Sequence, residues 1–212
     1  MQIRAVVFDL DGTLVDSLDD IANALAAALA DHQLPAPSRE AVRDLIGGGA
    51  RNLIVRTAPA DRVDDVLARF NVHYAAAPIS CTILYDGISP VLDRLAASHR
   101  TLAVLTNKPH EIAVKICDEL LAPWPFAVVA GHRRGAPLKP SPEGAWMVAA
   151  ELGVPPEACA LVGDAGTDID TARAAGMMPV AVTWGYRPRE ELVAKHPALL
   201  VDDPAELQSL AF

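Results

Sequence analysis

A short stretch near the N-terminus, residues 6–14 with the sequence VVFDLDGTL, constrains the fold more than any other part of the chain. Its β-branched and aromatic residues predict a strand that is buried on both faces. Asp9 and Asp11 end this strand, and because they are two residues apart, their side chains point to the same side. Gly12 and Thr13 follow, and glycine lets the backbone turn sharply beside the carboxylates. The stretch therefore predicts a buried strand that delivers two acids to a loop with room for a ligand.

Two neighbouring carboxylates at a strand end favour a bound cation, because each disfavours the ionised form of the other. Oxygen-only ligands make magnesium the predicted metal. A solvated acidic turn is one alternative interpretation. A calcium loop of the EF-hand type is another, since Asp9, Asp11 and Thr13 fit its first, third and fifth positions. It fails because Leu14 stands where that loop requires glycine, and Asp20 where glutamate is usual.

The composition limits the classes of partner. The chain has 212 residues, of which 51% are apolar, which suits a globular protein with one substantial core. No apolar run is long enough to span a membrane. The net charge of −9 argues against a nucleic-acid partner, because phosphate backbones require clustered Lys and Arg. Cys81, Cys117 and Cys159 have neither zinc-site nor disulfide spacing, which favours a reducing cytoplasm.

Residues 16–84 are predicted to form a block of helices. Asp16 and Ser17 offer capping groups to an Ala- and Leu-rich helix that ends before Pro35 and Pro37. Further helices are predicted over residues 38–46, 50–58 and 61–77. No strand is predicted within the block. Because the block directly follows a strand that ends in a candidate active site, we interpret it as an inserted cap or lid.

From residue 85 onwards, helices and strands alternate. Strands are predicted over residues 101–106, 127–130, 158–162, 179–182 and 199–201. Helices are predicted over residues 90–97, 109–120, 141–152 and 167–175, and a last one begins at residues 203–206 (DPAE), which have the pattern of a capping box. Such alternation predicts an α/β protein with a parallel sheet covered on both faces. Ligands of such sheets bind beyond the carboxyl ends of the strands.

Three later segments carry polar side chains near those ends. Thr106 and Asn107 place a hydroxyl and an amide where a helix begins, which suits an oxyanion, although a helix cap explains them equally well. Lys139 lies between prolines in residues 138–142 (LKPSP), a pattern that on its own is more typical of a surface loop. Asp164 and Asp168 follow a strand that ends in Gly-Asp, and an acidic helix N-terminus is the alternative explanation.

These four segments, in this order, closely resemble the four motifs of the haloacid dehalogenase superfamily. The resemblance extends over essentially the full chain. It implies a Rossmann-like, parallel-sheet core of residues 1–15 and 85–212, with a helical cap of residues 16–84 inserted after the first strand. Within the superfamily, the chain is most similar to the phosphoglycolate phosphatase group, on the evidence of the segments LYDGI (84–88), TNKP (106–109) and VTWGY (182–186). Ala165 departs from that pattern, which usually has serine there.

The resemblance implies roles for the residues at the strand ends. Asp9 would be the nucleophile and Asp11 the general acid and base. Magnesium would be held by Asp9, by Asp11 through its backbone carbonyl, and by Asp164. The retained Asp11, which dehalogenase members lack, favours phosphate chemistry. Thr106, Asn107 and Lys139 are implied to bind and stabilise the transferring phosphoryl group.

Supporting roles are implied for four further residues. Asp168 would orient Lys139 or a metal-bound water, and Gly12 and Thr13 would shape the loop that lets the cap move. Arg51 follows two glycines where related members carry a substrate-specificity loop, and it would pair with a carboxylate or second phosphate on the leaving group. A solvated arginine at a helix start is the alternative.

The implied function is a magnesium-dependent phosphomonoester hydrolase that acts through an aspartyl-phosphate intermediate. The predicted substrate is 2-phosphoglycolate or a similar small phosphorylated metabolite. One alternative is a capped sugar-phosphate mutase of the same superfamily, which would return the phosphoryl group. A second is a non-enzymatic phospho-acceptor or scaffold protein. Partners other than the metabolite, including nucleic acid and membrane, are not expected, and the sequence does not indicate an oligomeric state.

Overall fold

The computed structural model describes residues 2–211. Its strands are β1 (Ala5–Phe8), β2 (Val15–Asp16), β3 (Ile83–Leu84), β4 (Thr101–Pro109), β5 (Phe126–His132), β6 (Cys159–Gly163), β7 (Met178–Val182) and β8 (Leu199–Val201). Its helices are α1 (Leu18–Asp31), α2 (Arg39–Leu45), α3 (Ala50–Val55), α4 (Val63–Ala76), α5 (Ile88–Ala97), α6 (His110–Leu120), α7 (Glu143–Leu152), α8 (Gly166–Ala175) and α9 (Arg189–Ala194). Short 3-10 helices cover Ala60–Arg62, Pro156–Ala158 and Pro204–Ala211.

The main sheet has six parallel strands in the order β5-β4-β1-β6-β7-β8. Strand β1 lies between β4 and β6, with Val6 paired to both Leu102 and Ala160. Every residue of β1 is fully buried, because apolar helix faces cover both sides of the sheet. The α/β fold predicted from the sequence is confirmed.

Helices α1 to α4 follow one another between β2 and β3, and α1 packs against α4. Strands β2 and β3 pair antiparallel, with Val15 opposite Leu84 and Asp16 opposite Ile83. The prediction of no strand between residues 16 and 84 was therefore wrong at both margins of the block. A two-residue strand is too short to show the alternation on which sequence prediction depends.

The remaining differences lie at element boundaries. Strand β4 runs to Pro109, beyond the predicted end at residue 106, because Pro109 pairs with His132 of β5. Helix α9 was not predicted. At the C-terminus, Glu206 accepts a hydrogen bond from the Asp203 N–H at 3.0 Å, as the capping pattern indicates, but the helix that follows is 3-10.

The sequence also predicts that the cysteines are not paired and that no segment spans a membrane. Cys81 is exposed, Cys117 and Cys159 are buried, and all three are free thiols. Within residues 2–211, no helix combines the length and the apolar character that crossing a membrane requires.

Candidate active site

Adjacent parallel strands bring the predicted motifs together at one edge of the sheet. Asp9 directly follows β1, Thr106 lies in β4, and Asp164 directly follows β6. Because β1 lies between β4 and β6 and all three run in parallel, their carboxyl ends meet at this edge. Asp9, Thr106 and Asp164 are all buried. The site is thus built from strand ends, as the pattern predicted.

Three carboxylates form the centre of the site. Oxygen atoms of Asp9, Asp164 and Asp168 lie within 4.8 Å of one another, and all three residues are buried. Burial raises the pKa of Asp164 to about 8, with further contributions from the charges of Asp168 and Asp9. Burial also raises the pKa of Asp9 to about 6, against the lowering effect of nearby Lys139. Each of these buried carboxylates disfavours the ionised form of the others. Oxygen ligands of this kind suit a hard divalent cation, which would compensate their charges.

Lys139 holds two members of this cluster. Its Nζ lies 2.6 Å from Asp168 Oδ1 and 3.0 Å from Asp9 Oδ1, and it donates to the backbone carbonyl of Leu105 at 2.9 Å. Burial disfavours the charged ammonium, yet Asp168 and Asp9 together raise the pKa of Lys139. Asp168 also accepts a hydrogen bond from the N–H of Ala165 at 3.0 Å. Asp168 uses one carboxylate oxygen for Lys139 and the other for Ala165, so Asp9 and Asp164 are the carboxylates better placed to hold a metal.

The Asn107 side chain connects two loops of the site. Its Nδ2 donates to the carbonyls of Gly47 at 3.0 Å and Lys139 at 3.1 Å, and its Oδ1 accepts from the Lys139 N–H at 2.8 Å. Both amide hydrogens are therefore already bonded to backbone carbonyls. The sequence predicted a contact with phosphate for this side chain, whereas the structure shows it fixing the Lys139 segment beside the helical block.

The carboxylate of Asp11 is not part of the three-carboxylate cluster and has its own partners. Its Oδ1 lies 2.6 Å from Lys108 Nζ and accepts a hydrogen bond from Ser17 Oγ at 2.5 Å. The Ser17 hydroxyl, predicted to cap α1, makes no side-chain cap there; Asp16 Oδ1 instead accepts from the Leu18 N–H at 3.1 Å. Asp11 is thus held apart from the three-carboxylate cluster.

Sequence analysis did not single out Lys108. The residue is buried, and its ammonium lies 4.7 Å from the centre of the Tyr74 ring. A signal was available, because alternation along β4 places Lys108 on the same side as Thr106, two residues earlier. The signal was missed because the strand was predicted to end at residue 106.

Loops pack tightly around Asp164. Gly12 has a φ of +80°, and a Cβ there would lie 2.4 Å from Asp164 Oδ2. The Thr13 hydroxyl donates to Asp164 Oδ1 at 3.4 Å, and the Tyr186 N–H donates to Oδ2 at 2.7 Å. The absence of a side chain at Gly12 thus allows the first loop to approach Asp164 directly.

Arg51 does not reach the site. Its guanidinium pairs with Asp64 at 2.6 Å on the surface of the helical block, and its side chain is 60% exposed. Its neighbours in α3, Ala50 and Leu53, line the pocket instead. A helix turns by about 100° per residue, so the residue beside Ala50 faces another direction. The structure places Arg51 outside the pocket, which favours the alternative of a solvated arginine at a helix start over the predicted substrate contact.

A pocket lies between the strand ends and the helical block. Its sheet side carries acids, bases and polar groups, including Asp9, Asp11, Thr106, Asn107, Lys108 and Asp164. Its helical side is mainly apolar, with Ile21, Ile46, Ala50, Leu53, Phe70 and Tyr74. Arg187 also lines the pocket, and it donates to the backbone carbonyls of Asp44, at 3.0 Å, and of Ile46.

Comparison with known proteins gives consistent results. A family model described as "Haloacid dehalogenase-like hydrolase" matches residues 6–182. A phosphoglycolate phosphatase of Rhodospirillum rubrum is 37% identical, over 96% of this chain and 89% of that protein. The crystal structure of a predicted phosphoglycolate phosphatase from Haemophilus somnus 129pt has a TM-score of 0.90 at 28% identity, covering 100% of this chain and 99% of that one.

A further similar structure was solved with phosphate bound. The crystal structure of CbbY from Rhodobacter sphaeroides in complex with phosphate has a TM-score of 0.82 at 25% identity, over 97% of this chain and 96% of that one. The matches extend through both the strands and the helical block. The family resemblance that the four motifs predicted is confirmed.

Proposed function

This chain belongs to the haloacid dehalogenase-like hydrolase family, and on that basis we propose that it is a magnesium-dependent phosphatase acting on a small phosphomonoester. The observation that carries the proposal is the buried cluster of Asp9, Asp164 and Asp168 around the Lys139 ammonium. Negative charge on the protein and on the phosphate would repel unless cations lie between them. The cluster has the composition to supply both a metal site and a lysine for this purpose.

Asp9 is the nucleophile in this proposal. Its Oδ1 accepts a hydrogen bond from the Leu10 N–H at 2.7 Å and lies 3.0 Å from Lys139 Nζ. Within residues 2–211 nothing hydrogen-bonds to Oδ2, so we assign the attack to that oxygen. A bond forms between Oδ2 and phosphorus while the bond from phosphorus to the leaving oxygen breaks. Water then attacks phosphorus, which releases phosphate and regenerates the Asp9 carboxylate.

Asp11 is the general acid and base. It would protonate the leaving oxygen in the first step and take a proton from the attacking water in the second. Its position outside the three-carboxylate cluster suits this role, because a metal-bound carboxylate oxygen would be a poorer base. Ser17 and Lys108 hold the Asp11 carboxylate in its observed position.

The other residues bind and orient the phosphoryl group. Asp9, Asp164 and the backbone carbonyl of Asp11 would hold magnesium, which when bound neutralises charge between nucleophile and phosphate. Thr106 and Lys139 would contact the phosphoryl oxygens, and Asp168 keeps Lys139 in place. We assign a cap role to residues 16–84, because their apolar side chains form the wall of the pocket opposite the strand ends.

The proposed substrate is 2-phosphoglycolate. Support comes from relatives that carry the name phosphoglycolate phosphatase, including the Rhodospirillum rubrum protein at 37% identity. A pocket closed in between strand ends and helices suits a small metabolite. We also retain the cytoplasm as the proposed location, which the three free cysteines favour.

The test is phosphate release with magnesium from a panel of 2-phosphoglycolate, sugar phosphates, amino-sugar phosphates and pyrophosphate. We expect a preference for 2-phosphoglycolate and loss of release in Asp9→Asn, which removes the nucleophile and keeps its shape. Asp118→Asn, on the exposed side of α6, is the matched control and should retain activity. Absence of release from every substrate, or full activity in Asp9→Asn, would contradict the proposal.

A further inference from the structure

The Lys108 ammonium lies inside the pocket with few partners. Its side chain is 2% exposed, and Asp11 is its sole hydrogen-bond acceptor among the residues that the structure describes. An ammonium group has three hydrogens to donate. The Tyr74 ring lies over the ammonium, 4.7 Å from Nζ to the ring centroid, and both residues line the pocket.

Tyr74 adds an unused polar group beside this ammonium. The residue is buried in α4 and lines the same pocket. Its hydroxyl lies near Ser17 but has no partner at hydrogen-bond distance among residues 2–211. Buried polar groups normally have a partner, so an unpaired hydroxyl in a pocket wall indicates a group that a ligand completes. Burial raises the pKa of Tyr74 well above its usual value, which keeps the hydroxyl protonated as a donor.

Other cations near the pocket are already engaged. Arg187 donates to the carbonyls of Asp44 and Ile46, and Lys139 is bound by Asp9 and Asp168. The helical wall beside Tyr74 is apolar, with Phe70 and Leu53 among its residues. Lys108 has a single described acceptor, Asp11, so its ammonium keeps hydrogens that a charged group on the leaving alcohol would accept.

We propose that Lys108 and Tyr74 form a subsite that selects phosphomonoesters whose leaving alcohol carries an anionic group, such as a carboxylate. The inference rests on the proposed phosphatase function and assigns its specificity to two residues. The anion would accept hydrogen bonds from the Lys108 ammonium and the Tyr74 hydroxyl.

The experiment compares two substrates that differ in one group. They are 2-phosphoglycolate and 2-hydroxyethyl phosphate, in which a neutral hydroxymethyl group replaces the carboxylate. The readout is the ratio of their kcat/KM values, measured with magnesium in the wild type, Lys108→Met and Tyr74→Phe. Lys115→Met, on the exposed side of α6, makes the same charge change away from the pocket and is the control.

We expect the wild type to prefer 2-phosphoglycolate. Lys108→Met should lower the ratio by at least about tenfold and Tyr74→Phe by about threefold, since charged hydrogen bonds are the stronger kind. Lys115→Met should leave it unchanged. Should Lys108→Met fail to fold, Tyr74→Phe tests the subsite, because it removes only a hydroxyl that has no partner in the described structure.

Two outcomes distinguish failure of the proposed subsite from failure of the proposed phosphatase function. If the wild type hydrolyses both esters without preference, or if both variants keep the wild-type ratio, the subsite is refuted while the phosphatase function stands. If the wild type hydrolyses neither ester, nor any other in the panel above, the proposed function itself fails.

Discussion

Asp168 and Lys139 form a buried ion pair in which Oδ1 and Nζ are 2.6 Å apart and the side chains are 0% and 3% exposed. The pair joins α8 to the loop before α7 and fixes the lysine next to Asp9. Removing one partner of such a pair leaves the other buried and uncompensated, which is more damaging than losing a surface contact.

Asp168→Asn should therefore lower the free energy of unfolding by about 3 kcal/mol, within the range for broken buried pairs. Asp170→Asn is the matched control on the same helix, because Asp170 pairs with Lys195 at 2.5 Å while both side chains are partly exposed. The control should lose less than about 1 kcal/mol. Urea denaturation measures both, and equal losses would show that the buried pair has no special stabilising role.

The stability of the metal-free protein should depend on pH through Asp164. The pKa of Asp164 is about 8 in the folded protein, against 3.8 for the free side chain. Between these values the folded state keeps a proton that the unfolded state has lost, so stability falls as pH rises from about 4 to about 8. Asp9, with a pKa of about 6, adds to the decline over the lower part of that window.

Thermal or urea denaturation in the presence of a chelator, across that pH range, measures this dependence. Asp164→Asn should flatten most of the slope, because the amide does not titrate. Saturating magnesium should also oppose the decline, since the metal and the proton compete for the same oxygens. A stability that rises with pH in the chelated wild type would refute the assignment.

Gly12→Ala should weaken both the fold and the metal site. A Cβ at position 12 would lie 2.4 Å from Asp164 Oδ2, at a φ of +80° that side chains rarely adopt. Gly153 has a similar φ of +64° but nothing within 4 Å of a Cβ, so Gly153→Ala shows the backbone strain alone, about 1 kcal/mol. Gly12→Ala should lose more stability than this control and bind magnesium more weakly, as measured by calorimetric titration. Matching results for the two variants would show that the approach to Asp164 is unimportant.

Arg51→Ala should change the KM for 2-phosphoglycolate by less than about twofold, because surface ion pairs contribute little. The Arg51 side chain is 60% exposed and bound to Asp64. Steady-state kinetics tests this directly. An increase in KM of tenfold or more would show that Arg51 reaches the substrate after all.

The sequence predicts the central features of this site because they depend on local patterns. The apolar run before Asp9 indicates a buried strand, and the alternation of helices and strands indicates that later strand ends lie beside it. Those two facts place Asp9, Thr106 and Asp164 at the same edge of the sheet, and the strand order β4-β1-β6 in the structure makes them neighbours. These residues occur where the prediction placed them, at neighbouring carboxyl ends.

Side-chain direction is what the sequence leaves open. Whether Arg51 faces the pocket or the solvent depends on how α3 is rotated about its axis. The glycines and alanine before Arg51 do not indicate that rotation. Lys108 enters the pocket because β4 continues to Pro109, and this continuation depends on pairing with β5, more than twenty residues later in the chain. The Asp11 carboxylate turns towards Lys108 and Ser17, which are contacts that no local pattern contains.

The short ladder between β2 and β3 has a consequence for how the chain is organised. Because Val15 pairs with Leu84 and Asp16 with Ile83, the chain leaves the sheet layer and returns to it at neighbouring points. Because the two ends of the helical block lie side by side, the block does not push apart the strands before and after it. A longer block adds only slowly to the entropy cost of closing the loop. Helices could therefore be exchanged between such chains as a module, changing the choice of substrate while the reactive residues on the sheet remain in register.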